Sequence, residues 1–182
     1  MIDKETPVTL TFRDVDTPAG EVRLVFNGPV LVGLVYRDRW EGLEKTLARR
    51  FGPITLAPAD GGAAAALERF EAYLDGDLAA LDAIEADPGG TPFQARVWKR
   101  LRAIPAGETL SYGALAESIG QPTATRAVAA ANGQNPIAIV IPCHRVIAKD
   151  GSLWGYGGGL ERKEWLLGHE GARTQALVAD ET

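Results

Sequence analysis

Apolar residues recur at every second position in the first third of the chain: Val8, Leu10 and Phe12, then Val22, Leu24 and Phe26, then a more continuous stretch from Val30 to Tyr36. A period of two turns one face of a strand toward a core. Pro18, Ala19 and Gly20 separate the first two stretches, and Asn27, Gly28 and Pro29 the next two. Three strands in an antiparallel meander are therefore expected. From Gly62 to Leu74 the spacing becomes helical, with Ala66, Leu67, Phe70, Tyr73 and Leu74 on one side and Asp75, Gly76 and Asp77 as the stop. The stretch from Glu85 to Gly90 reads as a linker, dividing residues 1–88 from 89–173.

Beyond the linker, Thr91 caps and Pro92 opens a helix whose Phe93, Val97 and Leu101 recur at four-residue spacing, with Arg96, Lys99, Arg100 and Arg102 over the rest of its surface. Ser111 caps a short helix through Ile119, Gly120 and Pro122 turn the chain, and a second helix runs from about 123 to 131 before Asn132 and Gly133 stop it. Two short helices joined by a glycine-containing turn have the helix-turn-helix pattern. The second is rich in alanine (Ala124, Ala127, Ala129, Ala130, Ala131), with Arg126 its one long side chain. Such a helix either approaches a narrow groove closely or packs tightly in a core. The apolar run Ile137 to Ile141 suits a buried extended segment leading to Pro142 and Cys143. A glycine-dense loop, Trp154 to Gly159, precedes a last helix, Leu160 to Gly168, with Trp165, Leu166 and Leu167 inward; residues 174–182 are expected to form a loose tail. The fold class is α+β.

With 46% hydrophobic and 24% charged residues, the 182-residue chain can bury the core of one domain or two small ones. The run 137–141 is far shorter than the roughly 20 residues of a membrane helix, and Met1 to Glu5 lack the basic-then-apolar pattern of a signal peptide. A cytoplasmic protein with no membrane partner is expected. One cysteine excludes an intrachain disulfide, and two histidines, His144 and His169, leave a zinc site short of ligands, so no metal is expected. A net charge of −5 argues against nucleic acid, but its distribution argues the other way. Residues 92–149 carry 7 basic side chains against 2 acidic, whereas 1–91 carry 9 against 16 and 150–182 carry 3 against 6. A basic block of this kind is either a DNA-contacting face or a solvated helix face.

The cysteine stands in Pro142, Cys143, His144, Arg145, Val146. A free thiol titrates near 8.5, so a nucleophilic cysteine needs a base or a cation beside it. Adjacent residues of an extended segment point to opposite faces, so a water or a bend is the expected link from Cys143 to His144. A histidine base is commonly held by a third group, and spacing leaves Glu170, Glu164 and Glu161 as candidates.

The set PCHRV at 142–146, SYGALA at 111–116, RAV at 126–128, NP at 135–136 and GYGGGLERKEWLLGHEG at 155–171 resembles the O6-alkylguanine-DNA alkyltransferase family, from about Thr91 to Gly171. The resemblance implies a ribonuclease-H-like N-terminal domain and a catalytic helix-turn-helix domain. It implies single-turnover transfer of an alkyl group from guanine O6, or thymine O4, in duplex DNA to Cys143. No cofactor is implied, and the protein would be a monomer without DNA.

By the same resemblance, His144 would be a water-mediated base, Glu170 its orienting carboxylate and Asn135 a brace of the active-site turns. Arg126 would enter the base stack from the minor groove on a helix whose Ala127 and Ala129 permit close approach. Tyr112 would press on the neighbouring phosphate and hydrogen-bond the flipped base. Tyr156 would line the alkyl pocket, the carbonyls of Cys143 and Val146 would accept from the exocyclic amine, and the Gly157 amide would reach O6.

Gly157 stands where many relatives carry a side chain such as Ser, and Ala138 where some place a proline that packs on bulky O6 substituents. Weaker reaction with O6-benzylguanine than with methylated duplex is expected. The main alternative is a non-catalytic binder of alkylated DNA, whose alkyltransferase-like representatives lack the cysteine. A helix-turn-helix regulator and a thiol hydrolase are further alternatives. His169, Trp154 and Tyr156 have plain packing roles as alternatives.

Overall fold

The computed structural model describes residues 6–153 and 155–172; Trp154 and the expected tail, 174–182, lie outside them. The chain divides into two compact units, residues 1–89 and 90–182. Each is α+β.

In the first unit, β1 (Val8–Val15), β2 (Val22–Asn27) and β3 (Val30–Tyr36) form the expected antiparallel meander. A helix and a strand that the hydrophobic pattern does not announce follow: α1 (Trp40–Phe51) and β4 (Ile54–Pro58). β4 pairs in parallel with β1, giving the order β3-β2-β1-β4, so the sheet is mixed rather than purely antiparallel. The reason lies in α1, because a helical crossover returns the chain in the direction of β3, which a tight turn cannot do. Leu43 and Leu47, one helical turn apart, pack with Leu10, Val25 and Val32 of the sheet. Gly33 of β3 permits this approach: a Cβ there would lie 2.7 Å from a methyl of Leu43.

β2 is buried on both faces, and one inward position holds Arg23. Its guanidinium makes two 2.7 Å bonds to Asp14 and lies over the rings of Phe12 and Trp40. The Arg23 hydrogen bonds hold the Asp14 carboxyl below its usual range. α2 (Ala64–Leu74) follows a single 3-10 turn capped by Asp60. The expected linker is partly structured: Leu31 of β3 exchanges backbone hydrogen bonds with Glu85 and Asp87, and Arg50 donates to the Asp87 carbonyl at 2.7 Å.

The second unit starts at α3 (Pro92–Arg102), closed by a capping box in which Thr91 and Gln94 each bond the other's backbone amide. Its inward side is Val97, Trp98 and Leu101, whereas Phe93 is half-buried under Arg96. Trp98 is turned in because its indole N–H finds the Ala131 carbonyl at 2.8 Å. Ser111 caps α4 (Tyr112–Ser118), accepting from the Ala114 amide. α5 runs Thr125–Gly133, two residues past the expected stop. Asn132 does not end it but is buried on its inner face. The two-residue strands β5 (Leu110–Ser111) and β6 (Val146–Ile147) pair in parallel, which sets the start of α4 beside the segment following the cysteine. α6 (Leu160–His169) completes the unit. No helix among the described residues is long and apolar enough to cross a membrane.

Candidate active site

The run Ile137 to Ile141 is buried except for half-buried Ala138, but it is not extended. It folds into consecutive turns, with the Val140 amide on the Ala138 carbonyl at 2.8 Å and the Ile141 amide on the Ile137 carbonyl at 3.0 Å. Asn135 supplies what a strand ladder would have supplied. Its Nδ2 donates to the Ile141 carbonyl at 2.7 Å, and its Oδ1 accepts from the Ile137 amide at 3.0 Å. Ile139 is thereby held at φ 69°, a conformation that a β-branched residue adopts at a cost of about 1–3 kcal/mol. Strain of this size persists only where the surroundings over-determine it.

Cys143 follows in a 3-10 turn, Cys143–Arg145, and is 6% exposed. Asn135 Nδ2 also donates to its sulfur at 3.2 Å, and Asn132 Nδ2 reaches its carbonyl at 3.4 Å. Burial pushes the thiol up from its usual range, opposed by the Asn135 hydrogen bond and the charge of Lys163. The resting cysteine is a protected thiol.

The turn also corrects the alternating geometry of an extended segment, because its curvature directs His144 and Arg145 to a common partner. His144 Nε2 lies 2.9 Å from Glu170 Oε1, while Arg145 donates from Nε to Oε2 at 2.9 Å and from Nη2 to Oε1 at 2.8 Å. Arg145 Nη1 also bonds the Ile104 carbonyl. Burial raises the Glu170 carboxyl, but His144 and Arg145 outweigh it and hold it at about 2. Burial lowers His144 and favours its neutral form. An ionised carboxylate only accepts, so Nε2 carries the hydrogen and Nδ1 is left bare. Nδ1 is buried with no hydrogen-bond partner among the described residues.

Two members of the cluster were missed as site residues in the sequence. Arg145 was visible only as a basic neighbour of the cysteine. Lys163 is fully buried, and its Nζ donates to the Val146 carbonyl at 2.6 Å. Burial lowers it to about 8, with Cys143 opposing. Its signal was present: Lys163, Leu166, Leu167 and Glu170 share one helical face, so the lysine occupies an apolar-stripe position.

Tyr112, buried at the start of α4, feels the same centre, since burial and the nearby Cys143 both raise its hydroxyl. A Cβ on Gly155, at φ 74°, would lie 3.2 Å from the Tyr112 hydroxyl, so glycine there lets the loop approach. Val146 is buried, Tyr156 half-buried and Gly157 exposed. Glu170 alone of the three candidate glutamates meets His144; Glu164 is half-buried and Glu161 exposed. His169 stacks on Trp165 at 4.9 Å.

The outer side of α5 presents Arg126, Ala127 and Ala130 to solvent, with Ala129 half-buried and Val128, Ala131 and Asn132 inward. Alanine therefore serves both uses, packing on one side and leaving a flat exposed strip around Arg126 on the other.

Residues 92–172 match the family model for the 6-O-methylguanine DNA methyltransferase DNA-binding domain. The chain is 51% identical to a methylated-DNA--protein-cysteine methyltransferase of Salmonella typhimurium, over 75% of this chain and 78% of that protein. It is 46% identical to the enzyme of that name from Mycolicibacterium paratuberculosis, over 93% and 97%. The crystal structure of Mycobacterium tuberculosis OGT in complex with DNA superposes with a TM-score of 0.75 at 40% identity, covering 94% of this chain and 99% of that one. Likeness over nearly the whole length, in sequence and in fold, means that the chain belongs to the methylated-DNA--protein-cysteine methyltransferase family.

Proposed function

We propose that the chain repairs alkylated DNA by direct reversal, moving an alkyl group from guanine O6 in duplex DNA onto Cys143. The observation that carries this reading is the bare, buried Nδ1 of His144, whose other nitrogen is locked to Glu170, one residue from the buried thiol.

The thiol proton passes through a water to Nδ1 of His144, and Glu170 stabilises the imidazolium. The sulfur attacks the alkyl carbon, and the carbon–O6 bond breaks with its electron pair moving into the purine. The proton then restores N1–H of guanine, leaving a thioether at Cys143. A thioether is a poor leaving group, so each molecule acts once. General base assistance of this kind is worth about 10² to 10⁴ in rate.

The base must leave the stack to reach a buried sulfur, at a cost of a few kcal/mol. We assign Arg126 to the vacated space, with Ala127 and Ala129 allowing α5 close to the minor groove. Tyr112 rotates the nucleotide and holds the flipped base. Asn135 braces the turns, Tyr156 lines the alkyl pocket, the Cys143 and Val146 carbonyls take the exocyclic amine, and the Gly157 amide takes O6. In this reading α4 and α5 are a helix-turn-helix, the first unit is ribonuclease-H-like, and the protein acts as a monomer in the cytoplasm. Ala138 leaves bulky O6 substituents without a packing partner. The non-catalytic alternative is not favoured, because Cys143 is present in a catalytic setting.

The test is a duplex holding one O6-methylguanine, incubated with the protein and followed by mass spectrometry. One methyl should appear on the peptide containing Cys143. DNA that stays methylated, or that Cys143→Ala still demethylates, overturns the reading.

A further inference from the structure

A lysine is rarely buried completely, because its ammonium loses most of its hydration. Lys163 is 0% exposed; its charge favours the Cys143 thiolate, but no proton on the path from Cys143 to His144 passes through it. Its place in the fold is specific. α6 holds it one turn before Leu166 and Leu167, which anchor the helix in the core, so the side chain has little freedom. Its Nζ ends 2.6 Å from the Val146 carbonyl. A neutral carbonyl inside a strand does not require an ammonium to be satisfied; a short charge-assisted bond there fixes the direction in which the oxygen points.

Val146 is the first residue after the Cys143–Arg145 turn, and β6 pairs it with Leu110 just before α4. The residue is thus held by the cysteine turn and the β5–β6 pairing, and its carbonyl by Lys163.

We propose that Lys163 is a positioning residue for the lesion, holding the Val146 carbonyl where the exocyclic amine of the flipped guanine meets it. This rests on the reading of Val146 given above. With the amine seated, the alkyl carbon is set against Cys143; with the carbonyl loose, the base rocks and the reaction slows. A displacement of about 1 Å in a reacting pair can cost on the order of 10² in rate. The role also accounts for the choice of lysine over an apolar residue, whose burial would be less costly.

The effect of Lys163 should depend on the amine it helps to seat. The experiment compares single-turnover rates on duplexes holding O6-methylguanine or O6-methylhypoxanthine, which lacks the exocyclic amine, for the native protein and for Lys163→Met. The native protein should prefer O6-methylguanine on the order of tenfold, and Lys163→Met should remove most of that preference. A general loss of packing would slow both substrates alike, and that result overturns the proposal. A native protein that methylates Cys143 from both substrates at equal rates overturns the Val146 reading instead, and failure to react with either overturns the proposed function.

A second measurement needs no variant. Among the described residues, Lys163 acts on Cys143 and His144, with Tyr112 beside Cys143 and the Glu170–Arg145 pair behind His144. Changes in these act on both substrates equally and cancel in the ratio of rates. As pH rises through about 8, where Lys163 releases its proton, the native preference for O6-methylguanine should fall several-fold. A ratio that stays flat across the whole range in which Lys163 loses its proton overturns the proposal.

Discussion

Nε2 of His144 lies 2.9 Å from Oε1 of Glu170, with both side chains fully buried, and that bond decides which imidazole nitrogen is left as a base. Glu170 is also gripped by two nitrogens of Arg145, so it cannot turn away. Orientation, tautomer and charge of the base are fixed together.

Glu170→Gln should therefore do more than remove a charge. A glutamine can donate to Nε2, which would move the hydrogen onto Nδ1 and cancel the base, and it leaves Arg145 without its carboxylate. We expect the single-turnover rate to fall by at least about 10² and stability to fall by about 3 kcal/mol. Rapid quench and urea denaturation measure the two. A rate within threefold of native would mean that the carboxylate does not set the tautomer. The pH dependence has a definite sign. In the unfolded chain this carboxyl takes a proton near 4.5, whereas the folded one resists to about 2. Its contribution is complete above pH 4.5 and is lost as pH falls toward 2. In Glu170→Gln that part of the acid dependence should vanish.

Lys163→Met should stabilise the resting protein. Burial lowers this lysine from 10.5 to about 8, so between those values the unfolded chain holds a proton that the folded chain has released. The penalty on folding is full below pH 8 and disappears as pH rises through 10.5. A methionine of similar volume escapes it, and we expect a gain of about 3 kcal/mol at pH 7 that closes by about pH 10.5. Denaturant titrations at the two pH values test this. Loss of stability at pH 7 would show that the buried ammonium is a net support of the fold.

Asn135 spans the Ile141 carbonyl, the Ile137 amide and the Cys143 sulfur. Asn135→Ala should remove the brace, costing about 1–3 kcal/mol. Asn135→Asp keeps the acceptor for Ile137 but turns a carboxylate oxygen toward the sulfur. A like charge opposes the thiolate, so the aspartate variant should react about tenfold more slowly than the alanine variant when rates are compared at equal fractions folded. Equal rates would show that bracing alone matters.

The strands β1 to β3 were legible because their apolar residues recur in short runs between turn residues, although β2 proves buried on both faces. α1 was not, since its apolar positions Leu43, Leu47 and Phe51 are diluted by charged residues and Gly42, and with it went the parallel pairing of β4. The run Ile137 to Ile141 misled because hydrophobicity reports burial and not backbone path; the path was set by one side chain, Asn135. Cys143, His144 and Glu170 came from motifs; spacing alone left three glutamates, the resemblance chose Glu170, and the end of α6 sets it against His144. Lys163 was hidden by its charge, which in a sequence reads as surface.

Arg126 and Glu170 are opposite cases, one exposed on α5 and the other sealed in the core. An exposed side chain contributes little to folding, so Arg126→Ala should leave stability within about 0.5 kcal/mol. Its effect should appear only where a base must be extruded. Filling the space left by the base offsets part of a cost of a few kcal/mol, so loss of the guanidinium should slow repair of a duplex on the order of 10². Reaction with O6-methylguanine in a single strand, or as the free base, should change little. A residue that only neutralised phosphate would behave differently, weakening binding to every DNA and lowering the salt slope by about one. Arg126→Lys separates the two, because it keeps the charge but not the length and planarity that fill a vacated stack. If the lysine variant repairs duplex at the native rate, Arg126 is a phosphate contact. A rate near that of the alanine variant, with the native salt slope retained, assigns it to the space that the flipped guanine leaves.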